Sequence, residues 1–227
     1  MVHLTQVIPR SSLLLIARAS SGIRRIKDMQ GRKVSLWRGD ISIPARALFA
    51  AEGIGVREVP QSQTVNLFLR GGVDVTSAMW YNEYHTIVDA GLNPDELSVF
   101  HLHELGLRFP EDGLYALGPT MTRDPAMAEA FVRASLEGWR YAFANPDEAI
   151  DIVLRRIRAA RLPANHMHQH WMLARLEELA SLPADTTRIP QVRAEDYEAV
   201  ATVLNRNMLI NAIPSFRAFA PSADAVR

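Results

Sequence analysis

The stretch that most constrains the fold is residues 71–84, Gly71-Gly72-Val73-Asp74-Val75-Thr76-Ser77-Ala78-Met79-Trp80-Tyr81-Asn82-Glu83-Tyr84. An apolar helix over residues 64–69 ends at the glycine pair. A short strand over residues 73–79 follows at once. It opens, without glycine or proline, into Trp80-Tyr81-Asn82-Glu83-Tyr84, where the next helix begins. A helix, a strand and a helix joined with almost no loop belong to an α/β layer, because a strand so placed must pack between helices. In such folds ligands bind just beyond the carboxyl ends of the strands. Aromatic rings, one amide and one carboxylate leaving a strand end together read as a pocket for a flat, polar small molecule.

The same alternation runs through the first half of the chain. Leu13-Leu14-Leu15-Ile16-Ala17 is an unbroken apolar run of strand length, and Lys33-Val34-Ser35-Leu36-Trp37 alternates as a strand does. Pro44 suits the first turn of a helix that Gly53 stops. Further strands are expected at residues 56–60, 97–102 and 114–117. The second half is helical, with helices over residues 125–144, 146–160, 165–179 and 194–205. Asp124-Pro125 and Asn145-Pro146 are start signals, a capping residue followed by proline. Met127, Phe131, Leu136, Trp139 and Phe143 recur at helical spacing as a core stripe. Phe216 and Phe219 are expected to pack back onto the body.

Composition removes several classes of function. The 227 residues are 48% hydrophobic and 22% charged, which is a globular balance. With 25 basic and 25 acidic residues, net charge gives no reason to expect a nucleic acid partner. Without cysteine there is no disulfide, thiolate nucleophile or Cys-ligated metal. No apolar run reaches the roughly 18 residues a bilayer requires. His101 and His103, beside Glu104, and His166 and His170, four apart, are the metal-like groupings. Spacing alone gives neither group a clear third ligand, and there is no HExxH motif, so no metal is assigned.

An ordered set of segments carries a family resemblance: Lys27-Asp28-Met29-Gln30-Gly31-Arg32-Lys33-Val34, Trp37-Arg38-Gly39-Asp40, Val59-Pro60-Gln61, Leu69-Arg70-Gly71-Gly72-Val73-Asp74, Trp80-Tyr81-Asn82-Glu83-Tyr84, Phe109-Pro110-Glu111-Asp112-Gly113, and Ala142-Phe143-Ala144-Asn145-Pro146-Asp147-Glu148-Ala149. Together they resemble the NMT1/THI5-like family of substrate-binding proteins of ABC transporters. The resemblance implies an α/β, type II periplasmic-binding-protein-like fold with two lobes and a helical C-terminal region. It assigns residues 1–28 and 114–227 to lobe one and 29–113 to lobe two. It also implies a first lobe incomplete at its N-terminus, whose exposed edge a dimer or partner chain would cover.

The family's implied activity is capture of a small aromatic heterocycle, such as a thiamine pyrimidine precursor, in an interlobe cleft, for delivery to an ABC permease in the membrane. Glu83 would anchor the ligand's amine and ring-nitrogen edge. Trp80 or Tyr81 would stack on the ring, with Asn82 beside them. Trp37, Gly39 and Asp40 leave a second strand end, where Asp40 could instead cap the next helix. Asp74 is structural, Tyr84 packs, and Gly113 is the expected hinge. No cofactor is implied. Location is periplasmic or cell-surface by resemblance, and cytoplasmic for the chain as written without a signal peptide. The alternatives are a non-binding or interaction remnant of the family and a pyrimidine-synthase-like enzyme. The enzyme reading is disfavoured because the chain has no cysteine and only two lysines, Lys27 and Lys33.

Overall fold

The structure is a computed structural model that describes residues 1–221. Its elements in chain order are strands β1 (Val2–Gln6), β2 (Leu13–Arg18) and β3 (Lys33–Leu36), helix α1 (Ile43–Glu52), β4 (Arg57–Pro60), α2 (Asn66–Leu69), β5 (Val75–Met79), α3 (Glu83–Asp89), β6 (Leu97–His101) and β7 (Gly113–Ala116). Six helices follow: α4 (Gly118–Arg123), α5 (Pro125–Ala144), α6 (Pro146–Ala159), α7 (His166–Leu179), α8 (Ala194–Arg206) and α9 (Phe216–Phe219). Two compact units share these elements. Residues 12–107 form one, and residues 1–11 with the described residues from 108 onward form the other.

The 12–107 unit is built on a five-stranded sheet in the order β4-β3-β5-β2-β6. β3 runs parallel to β4 and β5, and β2 runs antiparallel to both β5 and β6. The apolar run of β2 is explained by its place inside this sheet. Leu13, Leu15 and Ala17 join the cluster with Val34, Leu36, Ala45, Leu48 and Phe49 on the α1 face. Leu14 and Ile16 join Val65, Phe68, Ala78 and Ile87 on the α2 and α3 face. A strand covered on both faces needs apolar side chains at every position, because alternate residues point to opposite sides. Residues 12–28, which the resemblance assigned to lobe one, thus fall inside the unit that holds β3, β4, β5 and β6.

Asp74 locks the start of β5. Its Oδ2 accepts the Lys33 N–H at 2.8 Å, and its own N–H donates to the Lys33 carbonyl at 2.9 Å. The glycine pair has two separate reasons. Gly71 has φ +72°, where side chains are disfavoured, and a Cβ on Gly72 would come within 2.4 Å of Leu67 Cδ1.

The second unit is mostly helical around one antiparallel pair, β1 with β7. β1 was not expected from the sequence. His3, Thr5 and Gln6 are polar, yet all are buried. Thr5 Oγ1 and the Gln6 N–H both donate to the Pro190 carbonyl, at 2.7 and 3.0 Å. Phe219 stacks on His3 with centroids 5.7 Å apart, and Tyr197 lies 4.8 Å from Phe219, so the C-terminal aromatics do return to this unit.

Two helix details correct the sequence reading. The buried residues of α5 are Ala128, Val132 and Leu136, while Met127 and Phe131 are 49% and 60% exposed. Leu136 of the expected stripe is buried and Trp139 and Phe143 are half-buried, but in the first turns Ala128 and Val132 take the core side, one residue on from Met127 and Phe131. Asp124 caps α5 by accepting the Met127 N–H at 3.0 Å. Asn145 does not cap α6 through its side chain. Its Nδ2 donates backwards to the Tyr141 carbonyl, at the end of α5, at 3.0 Å.

Candidate functional site

Parallel strands deliver their carboxyl ends to one side of a sheet. In the 12–107 unit, the residues following β3, β4 and β5 leave on that side. β2 runs the other way, so its start lies there too: Leu13 pairs with Met79, and the Trp80 N–H donates to the Ser12 carbonyl at 3.0 Å. The end of β6 completes the edge, with His101 opposite Leu14.

The sequence-derived residues fall into two groups along this edge. Trp37 follows β3, half-buried against the cluster on the α1 face. Gly39 has φ +78° and ψ −151°, a region open essentially to glycine alone. Nothing lies within 4 Å of a Cβ built there, so backbone shape and not crowding requires the glycine. Asp40 begins a short 3₁₀ turn with its side chain exposed, and neither this turn nor α1 has a side-chain cap.

Trp80, Tyr81, Asn82 and Glu83 follow β5. Trp80 packs against the cluster on the α2 and α3 face and meets His101 edge-on at 5.8 Å between centroids. Trp37 and Trp80 therefore belong to opposite faces of one sheet, although their strands are neighbours. Tyr81 is half-buried, and Tyr84 packs against the same cluster as Trp80. Glu83 opens α3. Its Oε2 accepts the Met79 N–H at 2.9 Å, and its Oε1 accepts from Asn82 Nδ2 at 2.9 Å. Burial pushes its carboxyl above the ordinary range, and the hydrogen bonds from Met79 and Asn82 only partly oppose this.

Gly113 stands apart from the edge. It starts β7, opposite Gln6, where a Cβ would come within 3.0 Å of the Thr5 carbonyl oxygen. Close approach of two strands is a sufficient reason for a glycine at that place.

Gln61 is the edge residue that sequence reasoning left without a role. Its N–H donates to the Leu36 carbonyl at 2.8 Å, which ties the end of β4 to β3. Its Oε1 lies 3.0 Å from Ser35 Oγ, 3.0 Å from Thr76 Oγ1 and 2.9 Å from Ser77 Oγ. Its Nε2 donates to the Ser77 carbonyl at 2.8 Å. The three hydroxyls are buried, so this amide satisfies polar groups that would otherwise be costly. The available signal was its position: it is the first residue after a parallel strand.

Two α/β-containing units, one built on a mixed five-stranded sheet, have the fold class of type II periplasmic binding proteins. The chain belongs to the NMT1/THI5-like family, whose pattern it matches over residues 1–149. It is similar in fold to the periplasmic sulfonate-binding protein SsuA from Methylobacillus flagellatus, with TM-score 0.62 and 16% identity over 99% of this chain and 68% of that one. The periplasmic aliphatic sulphonate binding protein SsuA from Escherichia coli gives 0.64 and 14% over 95% and 67%. The alkanesulfonate-binding protein SsuA from Xanthomonas axonopodis, bound to MOPS, gives 0.59 and 14% over 94% and 70%. No curated protein matches the chain.

Proposed function

We propose that this chain is the solute-binding component of an ABC importer, working in the periplasm or at the cell surface and handing its ligand to a membrane permease. Family membership and the fold shared with periplasmic binding proteins support that reading. Among the described residues no helix is long and apolar enough to cross a membrane. Capture and release need no nucleophile and no acid–base pair. They need a shaped surface whose closure differs between free and loaded forms.

The ligand we propose is a small aromatic heterocycle of the aminopyrimidine kind, held at the carboxyl edge of the 12–107 sheet. The observation that carries this is Glu83: a partly buried carboxyl at a strand end, flanked by Trp80, Tyr81 and Asn82, with its proton affinity raised. Such a group can pair with an amine and a ring nitrogen together. Trp80 or Tyr81 supplies the stacking face. Trp37, Gly39 and Asp40 form the neighbouring part of the edge, and Gln61 fixes the strand ends beneath them.

Calorimetry on the whole chain tests this with 4-amino-5-hydroxymethyl-2-methylpyrimidine, its formylamino analogue, riboflavin and taurine. Micromolar binding of a pyrimidine, lost in Glu83→Gln, is the expected result. Binding of taurine alone would instead make the chain a sulfonate receptor, the ligand class named for its SsuA relatives in fold. A folded chain that binds none of the four would make it a non-binding member of the family.

A further inference from the structure

We propose that His101, His103 and Glu104 form a binding site for a divalent transition-metal ion of the zinc class. One ligand atom from each of the three lies within 4.8 Å of the other two. The sequence pattern alone gave no third ligand, because residues 101, 103 and 104 cannot converge on a continuing strand. The chain does not continue as a strand. It turns after His101, and the Glu104 N–H donates to the His101 carbonyl at 3.1 Å. The turn swings Glu104 round to the two imidazoles, whose centroids are 5.6 Å apart. Glu104 Oε1 reaches within 3.9 Å of His103 Nε2.

The turn is fixed to the sheet. Leu102, between the histidines, is fully buried, and its N–H donates to the Leu13 carbonyl at 3.1 Å. His103 offers two ring nitrogens, of which one ion can take one. His103 Nδ1 is shielded from solvent and has no hydrogen-bond partner. A buried polar atom left unsatisfied is costly, and an unseen ion or water is one of its ordinary explanations.

The donor set names the class of ion. Two imidazoles and one carboxylate suit zinc and its neighbours, whereas calcium and magnesium favour all-oxygen shells. With metal–ligand bonds of about 2.0–2.2 Å, tetrahedral ligand atoms lie roughly 3.3–3.5 Å apart. The carboxylate can approach by rotation of Glu104, whose side chain is 66% exposed, and the imidazoles by small changes of ring angle. Three protein ligands leave one position open for water or a solute. His101 also meets Trp80, so the three donors lie beside the edge described above. The inference rests on the turn and its donors and stands without the proposed ligand.

Titration of the metal-free whole chain with Zn²⁺ by calorimetry, and with Co²⁺ by visible absorption, tests it. One equivalent should bind, with the intense absorption of four-coordinate Co²⁺. Glu104→Gln, at an exposed position, should weaken binding about tenfold, in line with the loss of one coordinating or supporting group. His103→Ala should abolish it, with circular dichroism confirming the fold. The double variant His166→Asn/His170→Asn should bind as the parent does. No binding, binding unchanged in Glu104→Gln and His103→Ala, or binding lost in the His166/His170 variant would each overturn the proposal.

Discussion

The two units solve the burial problem in opposite ways. In the 12–107 unit, β2 sits inside a sheet and buries every residue from Leu13 to Ala17. In the other unit, α5 has 20 residues against 6 in the longest described strand, yet its buried residues are only Ala128, Val132 and Leu136. A strand between two helical layers has no outward side, whereas a helix on a surface hides one stripe. The lesson is that burial follows the number of covered faces more than the hydrophobicity of the segment.

The largest expected effect tests that contrast directly. Leu15→Ala, in the middle of β2, should cost about 2–5 kcal/mol, because packing on all sides resists collapse into the cavity. Leu136→Ala should fall at the lower end of that range or below it, since its helix can shift toward its exposed side. Urea unfolding of both variants compares them. Equal costs would mean that α5 is as rigidly enclosed as β2.

A glycine exchange should give opposite signs in the two units. Gly39→Ala forces a side chain into a glycine-only backbone region and should cost about 1–3 kcal/mol. Gly138→Ala, inside α5 with open space at its Cβ, should stabilise by about 0.5–1 kcal/mol through helix propensity. Thermal unfolding reads both. A stabilising Gly39→Ala would show that the turn after β3 relaxes.

The smallest effects are in pH dependence, again with opposite signs. Glu83 has its folded pKa raised from the ordinary 4.5, chiefly by burial. Its stabilising contribution is full below that ordinary value and is lost as pH rises through the raised one. His3 has its folded pKa lowered from the ordinary 6.5, again by burial. Its contribution is present above the ordinary value and is lost as pH falls through the lowered one. Urea midpoints across pH should therefore flatten just above 4.5 in Glu83→Gln and just below 6.5 in His3→Gln. Unchanged profiles would mean that both groups are better solvated than their burial implies.

Much of the 12–107 unit was legible because β2 is an unbroken apolar run, β3 alternates, and glycines or prolines mark several of the links between its elements. β2, β3, β4, β5 and β6 all lie where the pattern placed them. β1 was not legible, since His3, Thr5 and Gln6 read as polar until Pro190 and Phe219 arrive from far along the chain to satisfy and cover them. The first turns of α5 misled because Ala128 and Val132, not the larger Met127 and Phe131, take the core side, whereas Leu136 is buried as the spacing implied. At the edge, Glu83 and Trp80 were visible as a dense cluster. Gln61 was not, because one glutamine after a proline carries no pattern. Glu104 was not, because a turn sets its direction.

The pairing of β1 with β7 bears on how the chain assembles as it is made. Residues 2–6 emerge from the ribosome well before their partners, residues 113–116, which come only after the whole 12–107 segment. That segment is contiguous and meets its own ends, with Leu102 bonded back to Leu13. It can therefore complete its sheet while β1 waits. When residues 111 and 112 appear, Glu111 and Asp112 bond with Val7 and Ile8, and the first strand is claimed late. Closing so long a loop is affordable because its entropic cost rises only slowly with length, but it makes β1, synthesised before its partner, one of the later strands to settle.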